Sequence, residues 1–235
     1  MSLRYILFDL DGSLLPMDQE LFIQDYFRRI AAYIAPHGFD PQTFTQSIWQ
    51  GTAAMFKNNG ERTNEAVFWD TMMKIYGPDI RTCEPILDEF YRTEFPKVQK
   101  VCGFDPLAGP TIRKLKEMGY IPVLATNPIF PSVATENRMR WAGLRQDDFI
   151  LYTTYENSNS CKPNPEYFKE ILNKLEAEPS QCLMVGNDAT EDLAAKHLGI
   201  DVFLLTACLI NKQNIDISTY PQGDLNALLQ YIQSR

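Results

Sequence analysis

Histidine is nearly absent from this chain of 235 residues: only His37 and His197 occur. A histidine-ligated zinc centre or a Ser-His-Asp relay is therefore not expected, and any catalysis has to rest on carboxylates, lysine or a hard metal ion. Cysteine is sparse as well. Cys83, Cys102, Cys161, Cys182 and Cys208 are scattered, odd in number and without a C-x-x-C pair, which argues against a disulfide framework or a zinc knot. No apolar run reaches the roughly 18 residues that crossing a bilayer requires, so no membrane association is expected. Cations are outnumbered, 22 Lys and Arg against 30 Asp and Glu, for a net charge of -8. Nucleic acids and anionic membranes both favour a basic face, and neither is expected as the main partner. An anionic substrate would need a local cation to offset the field. The first residues run directly into an apolar strand, leaving no room for a signal peptide, so a cytoplasmic location is expected.

What the chain does contain is a set of short apolar runs bounded by turn residues: RYILFDL, IPVLAT, CLMVG and DVFLL. Runs of this length, rich in branched residues, predict strands buried on both faces of a parallel sheet. Helical patterns lie between them. GPTIRKLKEMG starts with Pro110 and stops at Gly119, PSVATENRMRWAG stops at Gly143, and EDLAAKHLG stops at Gly199. Alternating strands and helices predict an α/β fold with a doubly wound, Rossmann-like parallel sheet. From Pro16 to Asp105 the alternation fails. QELFIQDYFRRIAAYI, TFTQSIWQGTAAMF, AVFWDTMMKIYG and ILDEFYRTEF all carry helical spacing, and no strand intervenes. The expected organisation is a catalytic core of residues 1–15 and 106–235, with an inserted all-helical cap domain at 16–105. The aromatic residues Phe22, Phe27, Trp49, Phe56, Phe68 and Trp69 are read as the core of that helical bundle. The polar loop KNNGERTN, with Lys57 and Arg62, is read as a surface turn or a lip over a site.

Ligands of open α/β sheets bind beyond the carboxyl ends of the strands, and here those ends carry chemistry. The first strand is followed by Asp9 and Asp11, the second by Thr126 and Asn127, the third by Asn187, Asp188 and Asp192. The loop NSNSCKPNPEYF offers Lys162 just before a helix capped by Asn164. Each item alone has a plain structural explanation as a turn, a cap or a solvated charge. Gathered at one sheet edge, four carboxylates and one lysine need a compensating cation. Hard oxygen ligands suit Mg²⁺, which also keeps positions open for phosphate oxygens. The D-x-D spacing projects Asp9 and Asp11 to the same side of an extended segment, while Leu10 turns inward and leaves its carbonyl free.

D-L-D-G-S, a strand ending in Thr126, an isolated Lys162 before proline, and G-N-D-x-x-x-D together resemble the four motifs of the haloacid dehalogenase superfamily. The likeness covers about residues 3–15 and 105–205, and the inserted helices resemble the cap of that superfamily's small-molecule phosphatases. The resemblance implies a Mg²⁺-dependent phosphomonoester hydrolase acting on a small phosphorylated metabolite. Asp9 would be the nucleophile and form an aspartyl-phosphate. Asp11 would be general acid and then base, its pKa raised by acidic neighbours. Thr126, the Asn127 backbone and Lys162 would hold the phosphoryl group. Asp188 would ligate Mg²⁺ with Asp9 and the Leu10 carbonyl, the superfamily's usual carbonyl ligand lying at Asp11, and Asp192 or Asn187 would fill the remaining role. Ser13 stands where the superfamily usually has threonine. The fourth motif reads GND, so either Asn187 or Asp188 can occupy its first acidic position. A phosphosugar mutase of the same superfamily is the nearest alternative. A phospho-accepting signalling module is the alternative of another class, although it would carry neither D-x-D nor an inserted cap. Substrate identity and oligomeric state are not legible.

Overall fold

A computed structural model describes residues 2–235. Its centre is a five-stranded sheet, ordered β2-β1-β3-β4-β5 and parallel throughout. The strands are β1 (Tyr5–Phe8), β2 (Ile121–Leu124), β3 (Cys182–Gly186), β4 (Asp201–Leu205) and β5 (Gln222–Gly223). The four apolar runs supply the first four. β5 is a two-residue edge strand that no run of apolar residues announces.

Successive residues on each strand face opposite sides of the sheet. Ile6, Phe8, Leu183 and Val185 pack into one apolar cluster, whereas Tyr5, Leu7, Cys182 and Met184 pack into the other. Helices cover both faces, so β1 and β3 are buried throughout and only the first residues of β2 and β4 are partly exposed. The helices of the core are α5 (Ala108–Glu117), α6 (Ser132–Trp141), α7 (Pro165–Leu175) and α8 (Leu225–Gln233). The segment EDLAAKHLG differs from expectation. Leu193–Leu198 forms a 3-10 helix, not an α-helix, because the turn at 188–192 is taken up by hydrogen bonds to acidic side chains.

Between β1 and α5 the described residues hold four α-helices and no strand: α1 (Gln19–Ile34), α2 (Pro41–Phe56), α3 (Asn64–Tyr76) and α4 (Glu84–Thr93). Asp18, Asp40 and Thr63 cap the first three, each side chain accepting backbone N–H groups of the first turn. The segment leaves and rejoins the core at one point. Met17 and Cys102 pair as an antiparallel bridge, and the Gly103 N–H donates to the Pro16 carbonyl at 2.7 Å. Aromatic contacts join these helices to the core, among them Tyr26 with Phe130 at 5.5 Å and Phe95 with Trp141 at 5.2 Å between ring centroids. Among the described residues no helix is long and apolar enough to cross a membrane.

Candidate active site

β1 ends at Phe8, and the chain then turns sharply. The Leu10 carbonyl accepts the N–H groups of Ser13 and Leu15 at 3.1 and 2.9 Å. Gly12 takes a left-handed φ of 83°, and a side chain there would overlap the Asn187 amide. This turn sends Asp9 and Asp11 into one cavity of about 590 Å³ that lies between the sheet edge and the four inserted helices. The Leu10 carbonyl is not free as the sequence suggested: closing the turn takes both of its lone pairs. Among the described residues no backbone N–H donates to the Asp11 carbonyl.

Beneath the cavity floor, and not itself lining the cavity, Lys162 is fully buried and donates to Asp9 Oδ1 at 2.8 Å and to Asp192 Oδ1 at 2.7 Å. Burial alone would lower the lysine pKa, but Asp192 and Asp9 outweigh it and hold the ammonium charged. Burial pushes both acids upward against the pull of that ammonium, Asp192 to about 6. Asp192 has no oxygen to spare. Its Oδ2 accepts the Asp188 N–H at 2.9 Å, and it does not line the cavity. Asn187 is equally committed, taking the Ser13 hydroxyl at 2.7 Å and donating to the Cys208 carbonyl at 2.7 Å. Asp188 does face the cavity. Its Oδ1 accepts the N–H groups of Thr190 and Glu191, and Oδ2 accepts none among the described residues. Asp188 thus presents an available carboxylate oxygen to the cavity, and Asn187 an engaged amide.

Thr126 and Asn127 line the same floor. Thr126 is fixed through its carbonyl, which accepts the hydroxyls of Thr153 at 2.6 Å and Tyr167 at 2.9 Å. Asn127 donates to Glu191 Oε2 at 3.0 Å, and its own Oδ1 is buried without a partner. Glu191 was not singled out from the sequence. Burial raises its pKa to about 8, with Asp192, Asp9 and Asp188 adding to the rise against Lys162.

Asp11 departs from expectation. Its neighbour is a cation: the guanidinium of Arg138, on α6 and 1% exposed, donates from Nη1 to Asp11 Oδ2. The same guanidinium donates to Thr135 Oγ1 at 3.1 Å and lies over the Phe130 ring at 4.6 Å. Asp11 Oδ1 is buried and unpartnered. Arg138 is a charge on the inward stripe of a helix whose same-face neighbours are Ala134 and Trp141, and that misplacement is the signal by which it could have been found.

Phe22, Phe68 and Trp69 are buried in the apolar cluster of the inserted helices, with Phe27 packed against it, as expected of a bundle core. Together with Trp49 and Phe56, which remain 49% and 42% exposed, they also line the cavity. Lys57 and Arg62 do not line it; Arg62 pairs with Asp70 on the outer surface.

A family model described as haloacid dehalogenase-like hydrolase matches residues 3–199. The chain is 27% identical over 212 residues to a phosphoglycolate phosphatase of Vibrio cholerae, covering 87% of this chain and 85% of that protein. It is 26% identical to the pyrophosphatase PpaX of Bacillus velezensis, covering 83% and 79%. The fold matches that of a 2-haloacid dehalogenase from Pseudomonas syringae with a TM-score of 0.64 at 19% identity, over 99% of both chains. With the match spanning most of its length, from the first strand to the glycine that closes the 3-10 helix after the last motif, this chain belongs to the haloacid dehalogenase-like hydrolase family.

Proposed function

We propose that the protein is a Mg²⁺-dependent phosphomonoester hydrolase that acts on a small phosphorylated metabolite through an aspartyl-phosphate on Asp9. The observation that carries this reading is the placement of Asp9 and Asp11 in one cavity, the first held by a buried lysine and the second clamped by a buried arginine. The phosphatases among the similar proteins support it.

The donor set fits a hard divalent ion. Asp9, Asp11, Asp188 and Asp192 gather at the floor against two cations in contact among the described residues, Lys162 and Arg138, so the floor is short of positive charge. Among the described residues no three Cys, His, Asp or Glu side chains converge tightly enough to hold an ion by themselves. Asp9, Asp188 and the Asp11 carbonyl would supply the protein ligands and water the rest, as Mg²⁺ prefers. Bound there, the ion would neutralise phosphoryl oxygens and bring an anionic group into an acidic protein.

The remaining work falls to the chain itself. A carboxylate oxygen of Asp9 attacks phosphorus, and the bond to the substrate alcohol breaks. Asp11 gives that alcohol its proton. A water then attacks the acyl phosphate, Asp11 takes the water's proton, and inorganic phosphate leaves with Asp9 restored. Arg138 holds one oxygen of Asp11 and leaves Oδ1 to carry the proton. Thr126 and the Asn127 backbone hold the phosphoryl oxygens, and Lys162, bonded to Asp9 from beneath the floor, offsets the negative charge gathered there. Asp11 also favours phosphate chemistry over dehalogenation, because a departing halide needs no proton. The helices between residues 16 and 105 act as the cap that closes over the site, and the core comprises 1–15 and 106–235. The test is phosphate release from a panel of phosphate esters by the wild type, by Asp9→Asn and in EDTA. Release is expected to vanish in the last two and to return when Mg²⁺ is restored. Undiminished release by Asp9→Asn overturns the covalent route.

A further inference from the structure

The cavity is large and lopsided. Its floor is polar, whereas its roof is a lining of rings from α1, α2 and α3, including Phe22, Tyr26, Phe68 and Trp69. About 590 Å³ is the size of a pocket that encloses a whole organic ligand, and an ester of a two-carbon acid would leave most of it empty. Apolar volume left empty or wet on binding forfeits the contacts that the rings could make.

Charge narrows the occupant further. Away from the floor, the cavity is lined by Glu65, Glu84, Asp88 and Glu156, and Arg92 is the one basic residue among the described residues that lines it. Asp88 and Arg92 lie one turn apart on α4 and offset each other in charge. Glu84 is paired with Arg81 at 2.5 Å, the same arginine that stacks on Trp69 at 5.2 Å. Glu156 accepts the Ser132 N–H at 2.8 Å at the start of α6. Glu65 has no ion pair among the described residues. Burial raises its pKa, and Glu156 and Glu84 add to the rise against the pull of Arg81. On the same helix face, one turn from Glu65, Trp69 is 2% exposed, lines the cavity and directs its indole N–H toward the Tyr155 hydroxyl. The wall therefore offers a carboxylate without an ion pair among the described residues, set among aromatic rings.

We propose that the substrate is the phosphate monoester of an alcohol with a flat apolar or aromatic body and a protonated amine, its phosphate on the floor, its body under the rings and its amine at Glu65. Rings around a cation add to the attraction of the carboxylate. An ester long enough to place a carboxylate at the far wall would instead meet Glu65 and Glu156 with like charge, a mismatch large enough to cost about 100-fold or more. This substrate class rests on the phosphomonoesterase reading of the floor.

The experiment compares kcat/KM of the wild type with Mg²⁺ on tyramine O-phosphate, on its N-acetyl derivative and on the counterpart in which a carboxylate replaces the amine. 4-Nitrophenyl phosphate reports phosphatase chemistry as such. The amine ester is expected to exceed the carboxylate ester by about 100-fold and the acetylated ester by about 10-fold. Glu65→Gln should bring the ratio of amine to acetylated ester close to one. Equal turnover of the amine and carboxylate esters, or a ratio that Glu65→Gln leaves intact, overturns the inference. If no ester is hydrolysed, 4-nitrophenyl phosphate included, the phosphatase reading fails. Calorimetry with the intact amine and carboxylate esters then decides the inference separately: tighter binding of the amine supports it, and equal binding overturns it.

Discussion

Lys162→Met removes the one cation that touches both Asp9 and Asp192 and replaces it with an apolar side chain of similar length. In the wild type the ammonium lies 2.8 Å from one carboxylate and 2.7 Å from the other, with Lys162 and Asp192 wholly buried and Asp9 nearly so. Removing one partner of a buried ion pair leaves an uncompensated charge and costs about 3–5 kcal/mol. An unfolding entropy of about 2.1 cal/mol/K per residue gives a chain of this size about 0.5 kcal/mol/K, so the loss corresponds to a fall in Tm of about 6–10 °C. The assay is reversible urea and thermal unfolding in EDTA, so that no divalent ion substitutes for the ammonium. The double variant, Lys162→Met with Asp192→Asn, supplies the control. The amide oxygen introduced by Asp192→Asn would still accept the Asp188 N–H while carrying no charge, and the double variant is expected to recover at least half of the loss. A single variant that loses less than about 1 kcal/mol, or a double variant no more stable than the single, refutes the view that Lys162 holds the floor together by charge.

Gly186→Ala is expected to cost about 2–4 kcal/mol in the same assays, because its Cβ would overlap the Asp192 carboxylate at the buried end of β3; an alanine tolerated without loss would mean that Asp192 is not fixed there. Arg138→Met is expected to lower kcat by about 10²-fold with KM little changed, through misplacement of Asp11, and Arg138→Lys to recover part of it; equal loss in both variants would reduce Arg138 to packing. Asp25 gives the pH prediction. Arg28 and Arg29 bond to both of its oxygens and, against burial, hold its pKa down to about 2 from the ordinary 3.8. A lowered acid stabilises the fold above its ordinary pKa, and that stability is lost as pH falls from about 4 to about 2. The expected loss is about 1–2 kcal/mol, allowing for solvent around the exposed Arg28. Asp25→Asn should flatten that part of the stability curve, and an unchanged acid limb would count against the arginine pairs.

The sheet was legible because a buried parallel strand has nowhere to put a polar side chain. RYILFDL, CLMVG and their partners are continuous apolar runs for that reason, and the polar residues at their ends mark where burial stops. β5 escaped because two backbone-paired residues leave no apolar trace. The helical insertion was legible from period, but its meaning was not. Periodicity shows that Phe22, Tyr26 and Ile30 share a face of α1; it cannot show that this face, packed on Phe90, Phe95 and Phe130, also borders a cavity. The same limit applies to Leu10, whose inward side chain was legible while its carbonyl was claimed by a turn. Arg138 and Glu191 were missed because each owes its place to a partner remote in sequence, Asp11 and Asn127, at separations of 127 and 64 residues.

The polar loop after α2 shows how a sequence feature can be functional in position without touching the chemistry. Asn58 and Asn64 are buried, and Asn58 donates to the Arg62 carbonyl and to Asn64 Oδ1. Asn64 in turn donates toward the Pro128 carbonyl at 3.1 Å. The free N–H groups at the start of α3 go to core carbonyls, Asn64 to Ser158 at 2.8 Å and Glu65 to Tyr155 at 2.8 Å. A helix start has donors that its own turns cannot satisfy. Here the core loop satisfies two of them, at a net worth of about 0.5–1.5 kcal/mol each. The backbone that docks α3 onto the core is the backbone of Glu65 itself, so the carboxylate that faces the cavity is placed by the bonds that seat the helix. KNNGERTN is neither a plain surface turn nor a lip: it is the clasp that sets the distance between the aromatic roof and the acidic floor.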